Sequence, residues 1–283
     1  MIMNQAARPY LQRIVGYALT GDTREQCFFL LYGTGANGKS TFLEMLRDLL
    51  GPEYAHHTPF NTLLARRDDV IRADLARMRG ARFVTAIEAD EGRRFDEAVV
   101  KALTGGDTIT ARNLYESHFE YRPQFKLFLA TNYKPEIRGV DDAIWRRVRL
   151  VPFTVSIPPA EQDRALRDKL RTEASGILNW ALAGCRAWQA GGLADPDLIR
   201  DATRTYKHES DLVGEFLKDC CTLGPDQHDD APKLRREFED WCKDEMGTTP
   251  LPGRAFNRGM TQHGLTLRKG HASRVWVGVH LNL

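Results

Sequence analysis

The chain has 283 residues, a hydrophobic fraction of 42% and a formal net charge of +2 at pH 7. This length and apolar content suit one large domain or two ordinary ones, and no stretch approaches the roughly eighteen apolar residues of a membrane span. The N-terminus lacks the basic, apolar, small-residue order of a signal peptide, so a cytoplasmic protein with no membrane partner is expected. Five cysteines (Cys27, Cys185, Cys220, Cys221 and Cys242) form no C-x-x-C pair, which argues against a zinc site and against a disulfide framework.

In chain order, residues 9 to 20 place Leu11, Ile14, Val15, Ala18 and Leu19 on one face of a lead-in helix, with Pro9 in its first turn and Gly21 just beyond it. CFFLLY, from Cys27 to Tyr32, is a continuous apolar run of the kind buried on both faces of a parallel sheet. A helix follows, with Phe42, Met45, Leu46 and Leu49 as its inward stripe. Further short apolar runs recur at RFVTAI (82 to 87), FKLFLAT (125 to 131) and VRLVPF (148 to 153), so strands alternate with helices in an α/β layered domain. One helical pattern runs from about Ala160 to Trp188 through Leu166, Leu170, Ile177, Leu178, Ala181, Leu182 and Cys185, and Gly191-Gly192 ends it. The tail carries helical stripes at Leu212 to Cys220 and Leu234 to Cys242, then a short helix near Arg254 to His263. Two strands close the chain, with Leu265 and Leu267 on one and Val275, Val277, Val279 and Leu281 aligned on the other. Three helices and a β-hairpin predict a winged helix.

GTGANGKS (Gly33 to Ser40) fits G-x-x-x-x-G-K-[ST] and sits between a buried strand and an amphipathic helix, the context that the motif's chemistry requires. Its glycines let consecutive amide N–H groups converge on phosphate oxygens, and the helix N-terminus adds a partial positive charge. ATP is therefore the expected cofactor, held by Gly33, Thr34, Gly35, Ala36, Asn37, Gly38, Lys39, Ser40 and Thr41. Lys39 would reach the β and γ phosphates and Ser40 would ligate Mg²⁺. Glu88 ends a strand beside this loop, where a carboxylate polarises water or holds a metal-bound water, and Asp90 and Glu91 are the nearest second carboxylates. Asn132 follows another strand, where a neutral amide can hold the γ phosphate and the lytic water.

Five blocks carry a resemblance beyond the loop: GYALTGD (16 to 22), LLYGTGANGKST (30 to 41), IEADEGRRFDEAVVKALTGGDTITAR (87 to 112), FEYRPQFKLFLATNYKPEIRG (119 to 139) and IWRRVRLVPF (144 to 153). Together they resemble the superfamily 3 helicases, which are AAA+-related. The nearest likeness is to the C-terminal helicase part of primase-helicases of phages, satellite phages and plasmids, with the poxvirus primase-helicase more distant. The resemblance implies that Glu88 is the Walker B acid and that Asn132 is the sensor asparagine; the paired D-E of other P-loop ATPases is absent here, which leaves Asp90 or Glu91 as the second acid toward magnesium. It makes Arg147 the arginine finger supplied to a neighbouring subunit, with Arg146 in reserve. It also makes Thr104 to Pro123 a hairpin that grips single-stranded DNA in a central channel, through Arg112, Tyr115 and His118.

From Leu251 to the C-terminus there are five cationic side chains (Arg254, Arg258, Arg268, Lys269 and Arg274) and no aspartate or glutamate. A helix and a wing charged in this one-sided way suit DNA. The expected fold is thus an α/β P-loop NTPase followed by a winged helix, with boundaries at 1–26 (lead-in), 27–192 (ATPase core), 193–210 (linker) and 211–283 (winged helix). The expected function is that of an ATP-driven, homo-hexameric helicase on single-stranded or forked DNA. It would serve phage, plasmid or mobile-element replication in a bacterial host, with a primase as a partner. An ATP-dependent initiator or loader shares every ATPase residue and is the alternative.

Overall fold

The computed structural model describes residues 7–65, 73–88, 93–113, 115–137, 142–270 and 273–282. Contacts divide the chain into two units, Met1–Glu136 with Ala143–Tyr206, and Ile137–Asp142 with Lys207–Leu283. In order, the first holds α1 (Arg8–Ala18), β1 (Phe28–Tyr32), α2 (Lys39–Tyr54), β2 (Ala55–His57), α3 (Ala73–Ala76), β3 (Phe83–Glu88), α4 (Glu97–Gly105), β4 (Ile109–Ala111), β5 (Phe119–Tyr121), β6 (Lys126–Thr131), α5 (Asp142–Trp145), β7 (Val148–Pro152), α6 (Leu166–Thr172), α7 (Ala174–Gly191) and α8 (Asp197–Glu209).

The apolar runs form a five-stranded sheet in the order β2-β3-β6-β1-β7, whose pairings are all parallel. Such a sheet is covered on both faces, which is why β6 is buried at every position and β1 at all but its last. The register sets Thr131 of β6 beside Tyr32 of β1 and beside Glu88 of β3. Three strands therefore end level, and the loops that follow them open on one side of the sheet. Strands β4 and β5 form a separate antiparallel pair, the anticipated hairpin.

On the flank of the sheet α1 crosses α7 at glycines. A Cβ on Gly16 would overlap the backbone of Gly184 and Cys185, and one on Gly184 would overlap the carbonyl of Gln12. The anticipated stripe on 160 to 188 is corrected accordingly. The segment breaks into α6 and α7, Leu178 and Leu182 are exposed, and the buried face of α7 is Ala181, Gly184 and Trp188. Close backbone approach needs small residues there, and large ones would hold the helices apart. Lys126 pins the far end of α1. Its ammonium donates to the carbonyls of Thr20 and Asp22 and lies 4.5 Å from the Tyr17 ring centroid, although burial pushes its pKa down to about 7. A cation among carbonyls that follow a helix C-terminus also complements the helix dipole.

The segment 193–210, expected as a linker, instead carries α8, with Ile199 and Tyr206 buried. It covers the open edge of β7, where the Leu150 amide donates to Thr203 Oγ1 at 3.0 Å. An edge strand left bare would be a template for aggregation.

The second unit runs α9 (Leu212–Cys220), β8 (Cys221–Asp230), α10 (Ala231–Asp244), α11 (Gly253–Gln262), β9 (Thr266–Lys269) and β10 (Arg274–Leu281), with antiparallel strands ordered β8-β10-β9. Its core packs Phe216, Phe238, Trp241, Phe256 and Trp276 together. The three helices and the hairpin are those anticipated, whereas β8 is an addition. The alignment of Val275 and Val277 with Val279 and Leu281 is also corrected. The register of β10 shifts between Val277 and Val279, and Gly278 there has φ +100°, so Trp276, Val279 and Leu281 point inward. A bulge inserts one residue and exchanges the faces beyond it.

Gly184→Val is expected to destabilise the first unit by about 1–3 kcal/mol through overpacking against Gln12. Gly176→Ala on the same helix, where an added Cβ meets nothing within 4 Å, is expected to be neutral or mildly stabilising. Thermal unfolding of the pair checks this, and equal melting temperatures would contradict it.

Candidate nucleotide-binding site

The loop between β1 and α2 turns through three left-handed residues, Gly35 (φ +110°), Ala36 (φ +46°) and Gly38 (φ +81°). Glycine adopts such angles freely, and the turn brings the chain back to start α2. At Gly33 the constraint is space instead, because a Cβ there would overlap the carbonyl of Phe153 and the side-chain amide of Asn37. The loop is tied on two sides: the Gly33 amide donates to Thr131 O at 3.3 Å, and the Ile157 amide donates to Ala36 O at 2.7 Å.

Lys39, in the first turn of α2, is buried. Its ammonium donates to Gly33 O at 2.6 Å, Asn37 Oδ1 at 2.9 Å and Asn132 Oδ1 at 3.1 Å. Burial lowers its pKa, and three oxygen acceptors oppose that by favouring the charged form. Asn132 is presented by a turn in which Thr131 Oγ1 bonds Tyr133, whose amide donates back at 3.1 Å. A cleft of about 320 Å³ is lined by Gly35 to Thr41, Ile87, Ala130, Thr131 and Asn132. Ser40 is exposed at its mouth. Glu88, placed by its backbone, lies one strand from Thr131, so the loop, Asn132 and Glu88 share one end of the sheet. Asp90 and Glu91 lie outside the described residues. Loop amides, the Lys39 ammonium, the Ser40 hydroxyl and the Asn132 amide are thus gathered at one cleft, with the backbone of Glu88 at the same end of the sheet.

A family model described as a family of unknown function (DUF5906) matches residues 31–147, from β1 to the arginine pair. The helicase candidate L207/L206 of Acanthamoeba polyphaga mimivirus is 32% identical over 238 residues, covering 76% of this chain and 24% of its own length. The helicase candidate 022R of Frog virus 3 (isolate Goorha) is 28% identical over 262 residues, 84% of this chain and 26% of its own length. Primase D5 of Fowlpox virus (strain NVSL) is 29% identical over 151 residues, 52% of this chain and 19% of its own length. This chain is a relative of the helicase and primase proteins of large DNA viruses. It spans about a quarter of the length of these two helicase candidates. Its fold is like that of the NrS-1 C-terminal region in its apo A form, with a TM-score of 0.58 over 98% of this chain and 72% of that one at 8% identity.

The arginine pair stands away from the loop. Arg147 precedes β7, and its carbonyl accepts from the amide of Phe28, the first residue of β1. At roughly 3.3 Å per residue, the five residues of β1 put it about 16 Å from Gly33 along the sheet. Its side chain is buried, with Nη1 donating to Ala143 O at 2.6 Å and Nη2 packed near Gly105. Of the pair, Arg147 is thus the buried member and Arg146 the exposed one. The carbonyl of Arg146 is held by Arg149 Nη1 at 2.7 Å, and Arg149 Nε in turn pairs with Asp195 at 2.6 Å. Sequence reading passed over both residues, since an arginine inside a strand and an aspartate in a loop carry no motif.

At the hairpin, Tyr115 is 98% exposed with φ +64° and His118 is exposed, whereas Arg112 is half-buried. Leu114 lies outside the described residues. In the second unit Arg254 and Arg258 lie on the exposed face of α11, and Arg268, Lys269 and Arg274 are exposed on β9 and β10.

Asn132→Ala is expected to lower nucleotide hydrolysis on the order of 10²-fold, as when one preorganised polar group is removed from a reacting centre. A fluorescent ATP analogue should still bind. Turnover and a binding titration on the same preparation check this, and unaltered turnover would remove the asparagine from the chemistry.

Proposed function

We propose that this chain is the ATP-driven motor of a ring-forming helicase that moves along single-stranded DNA. The observation that carries the reading is the buried Lys39, held among Gly33, Asn37 and Asn132 at the level where β1, β3 and β6 end. Lys39 and the loop amides bind the triphosphate, Ser40 and Glu88 hold magnesium, and Asn132 with Glu88 orients the attacking water. Bound magnesium neutralises charge on the phosphates.

An arginine supplied by a neighbouring copy would complete the site, and exposure makes Arg146 the choice. The buried Arg147 would then brace the turn on which Arg146 stands. The fully exposed Tyr115 at the hairpin tip gives a ring a place to stack on a base, with His118 in the same tip loop and Arg112 where that loop leaves β4. We read the second unit as a winged helix, because its order α-β-α-α-β-β and sheet β8-β10-β9 put one helix, α11, ahead of a basic hairpin. Arg254 and Arg258 would face the DNA groove, and Arg268, Lys269 and Arg274 the phosphates. The resemblance to Primase D5 supports a primase as the working partner, and relatives in large DNA viruses support a role in replicating a mobile genome.

The test is strand displacement on forked duplexes of both polarities, with particle size measured with and without a non-hydrolysable ATP analogue. The reading expects DNA-stimulated hydrolysis, unwinding and a ring-sized particle. DNA-stimulated hydrolysis without displacement on either fork would favour a loader instead. Arg146→Ala is expected to cut hydrolysis by about 10³ or more, the scale of an arginine finger. Mixing it with Lys39→Ala protein, inert alone but carrying Arg146, should restore part of the rate. Full activity of the Arg146→Ala protein by itself would exclude the finger.

A further inference from the structure

Asn37 stands one residue before the glycine that opens α2, yet its side chain is buried and both ends of its amide are used. Nδ2 donates to the Phe153 carbonyl, just past β7, at 3.1 Å, and Oδ1 accepts from Lys39 Nζ at 2.9 Å. The environment dictates the amide's orientation. Turned over, it would set an NH₂ against an ammonium and an oxygen against a carbonyl. The bond to Phe153 therefore aims the oxygen at the lysine. Gly33 leaves the room this requires, since a Cβ there would overlap both the Phe153 carbonyl and the Asn37 amide. The amide carries its donor and its acceptor on two separate atoms, one for the carbonyl and one for the cation. Aspartate would oppose one oxygen to the Phe153 carbonyl, and leucine would offer nothing to either.

We propose that Asn37 is a positioning residue for nucleotide binding: its amide, braced on the end of β7, holds the Lys39 ammonium extended in the cleft before a polyphosphate arrives. The inference rests on the reading of this cleft as a nucleotide site and assigns within it a task that the loop motif leaves to any residue. Held this way, the cation keeps an oxygen partner in the empty site and needs little rearrangement on binding. The brace also ties the lysine to β7, the strand whose opposite end follows the Arg146-Arg147 pair.

A double-mutant cycle separates this role from one that merely stabilises the loop. Binding of a fluorescent ATP analogue is titrated for the wild type, Asn37→Ala, Lys39→Ala and the double variant, with thermal unfolding followed in parallel. Asn37→Ala is expected to weaken binding about tenfold, the scale of a hydrogen bond to a charged group. In the Lys39→Ala background the same change should cost no more than about twofold, because the group through which Asn37 acts is gone. A penalty that differs by less than about threefold between the two backgrounds would overturn the proposal, as would wild-type affinity in Asn37→Ala. If Asn37→Ala melts below the assay temperature, Asn37→Leu, with the same branching but neither donor nor acceptor, takes its place in the cycle. Wild-type affinity in Lys39→Ala would sink the nucleotide reading itself, an outcome distinct from failure of the Asn37 proposal.

Discussion

A cation buried at the end of a parallel sheet has to be met by oxygen, and meeting that need for Lys39 organises the first unit. The acceptors come from three places in the sequence: Gly33 after β1, Asn37 inside the loop and Asn132 after β6. They converge only because β1 and β6 lie side by side in a register that ends both at one level. Stripped of those oxygens, the ammonium would carry the desolvation cost of an unpaired charge and shed its proton. Sheet order, loop geometry and lysine charge are thus one constraint seen at three scales.

Lys126 solves the same problem at the opposite end of the sheet and shows what distinguishes structure from function. Its acceptors are mostly main-chain carbonyls of the Thr20 to Asp22 turn and Gln124, and a tyrosine ring covers it. Burial pushes its pKa down to about 7. Lys39 borders an open cleft and is held partly by side-chain amides that can release it. Closed main-chain contacts fix a helix end; side-chain contacts beside a cavity leave a charge that can be handed to a ligand.

The sequence made the sheet legible where a strand was mostly apolar, as in β1, β3, β6 and β7, and hid it elsewhere. β2 is three residues, Ala-His-His, too short for any period, and β8 contains Gly224-Pro225 amid acids, which reads as a turn. The contact face of α7 was misjudged because hydrophobic spacing highlights leucines, whereas α1 approaches through Gly16 and Gly184, where the absence of a side chain is what matters. In β10 a single bulge at Gly278 reversed an alternation that looked unbroken. The phosphate loop was legible from its spacing, and Asn132 from its place after a strand. The choice within Arg146-Arg147 was not, since two adjacent arginines are chemically equal until packing against Gly105 and Ala143 buries one of them.

That packing gives β7 a double role that neither motif discloses. Its first turn is clamped by Arg149, which reaches both the Arg146 carbonyl and Asp195, while the carbonyl just past its end anchors Asn37. Its outer edge is closed by Thr203 of α8, so the strand is held on both sides rather than left as a free margin. At roughly 3.3 Å per residue the strand spans about 16 Å between these two attachments. The five residues of β7 thus join the turn that carries Arg146 to the carbonyl that accepts from Asn37.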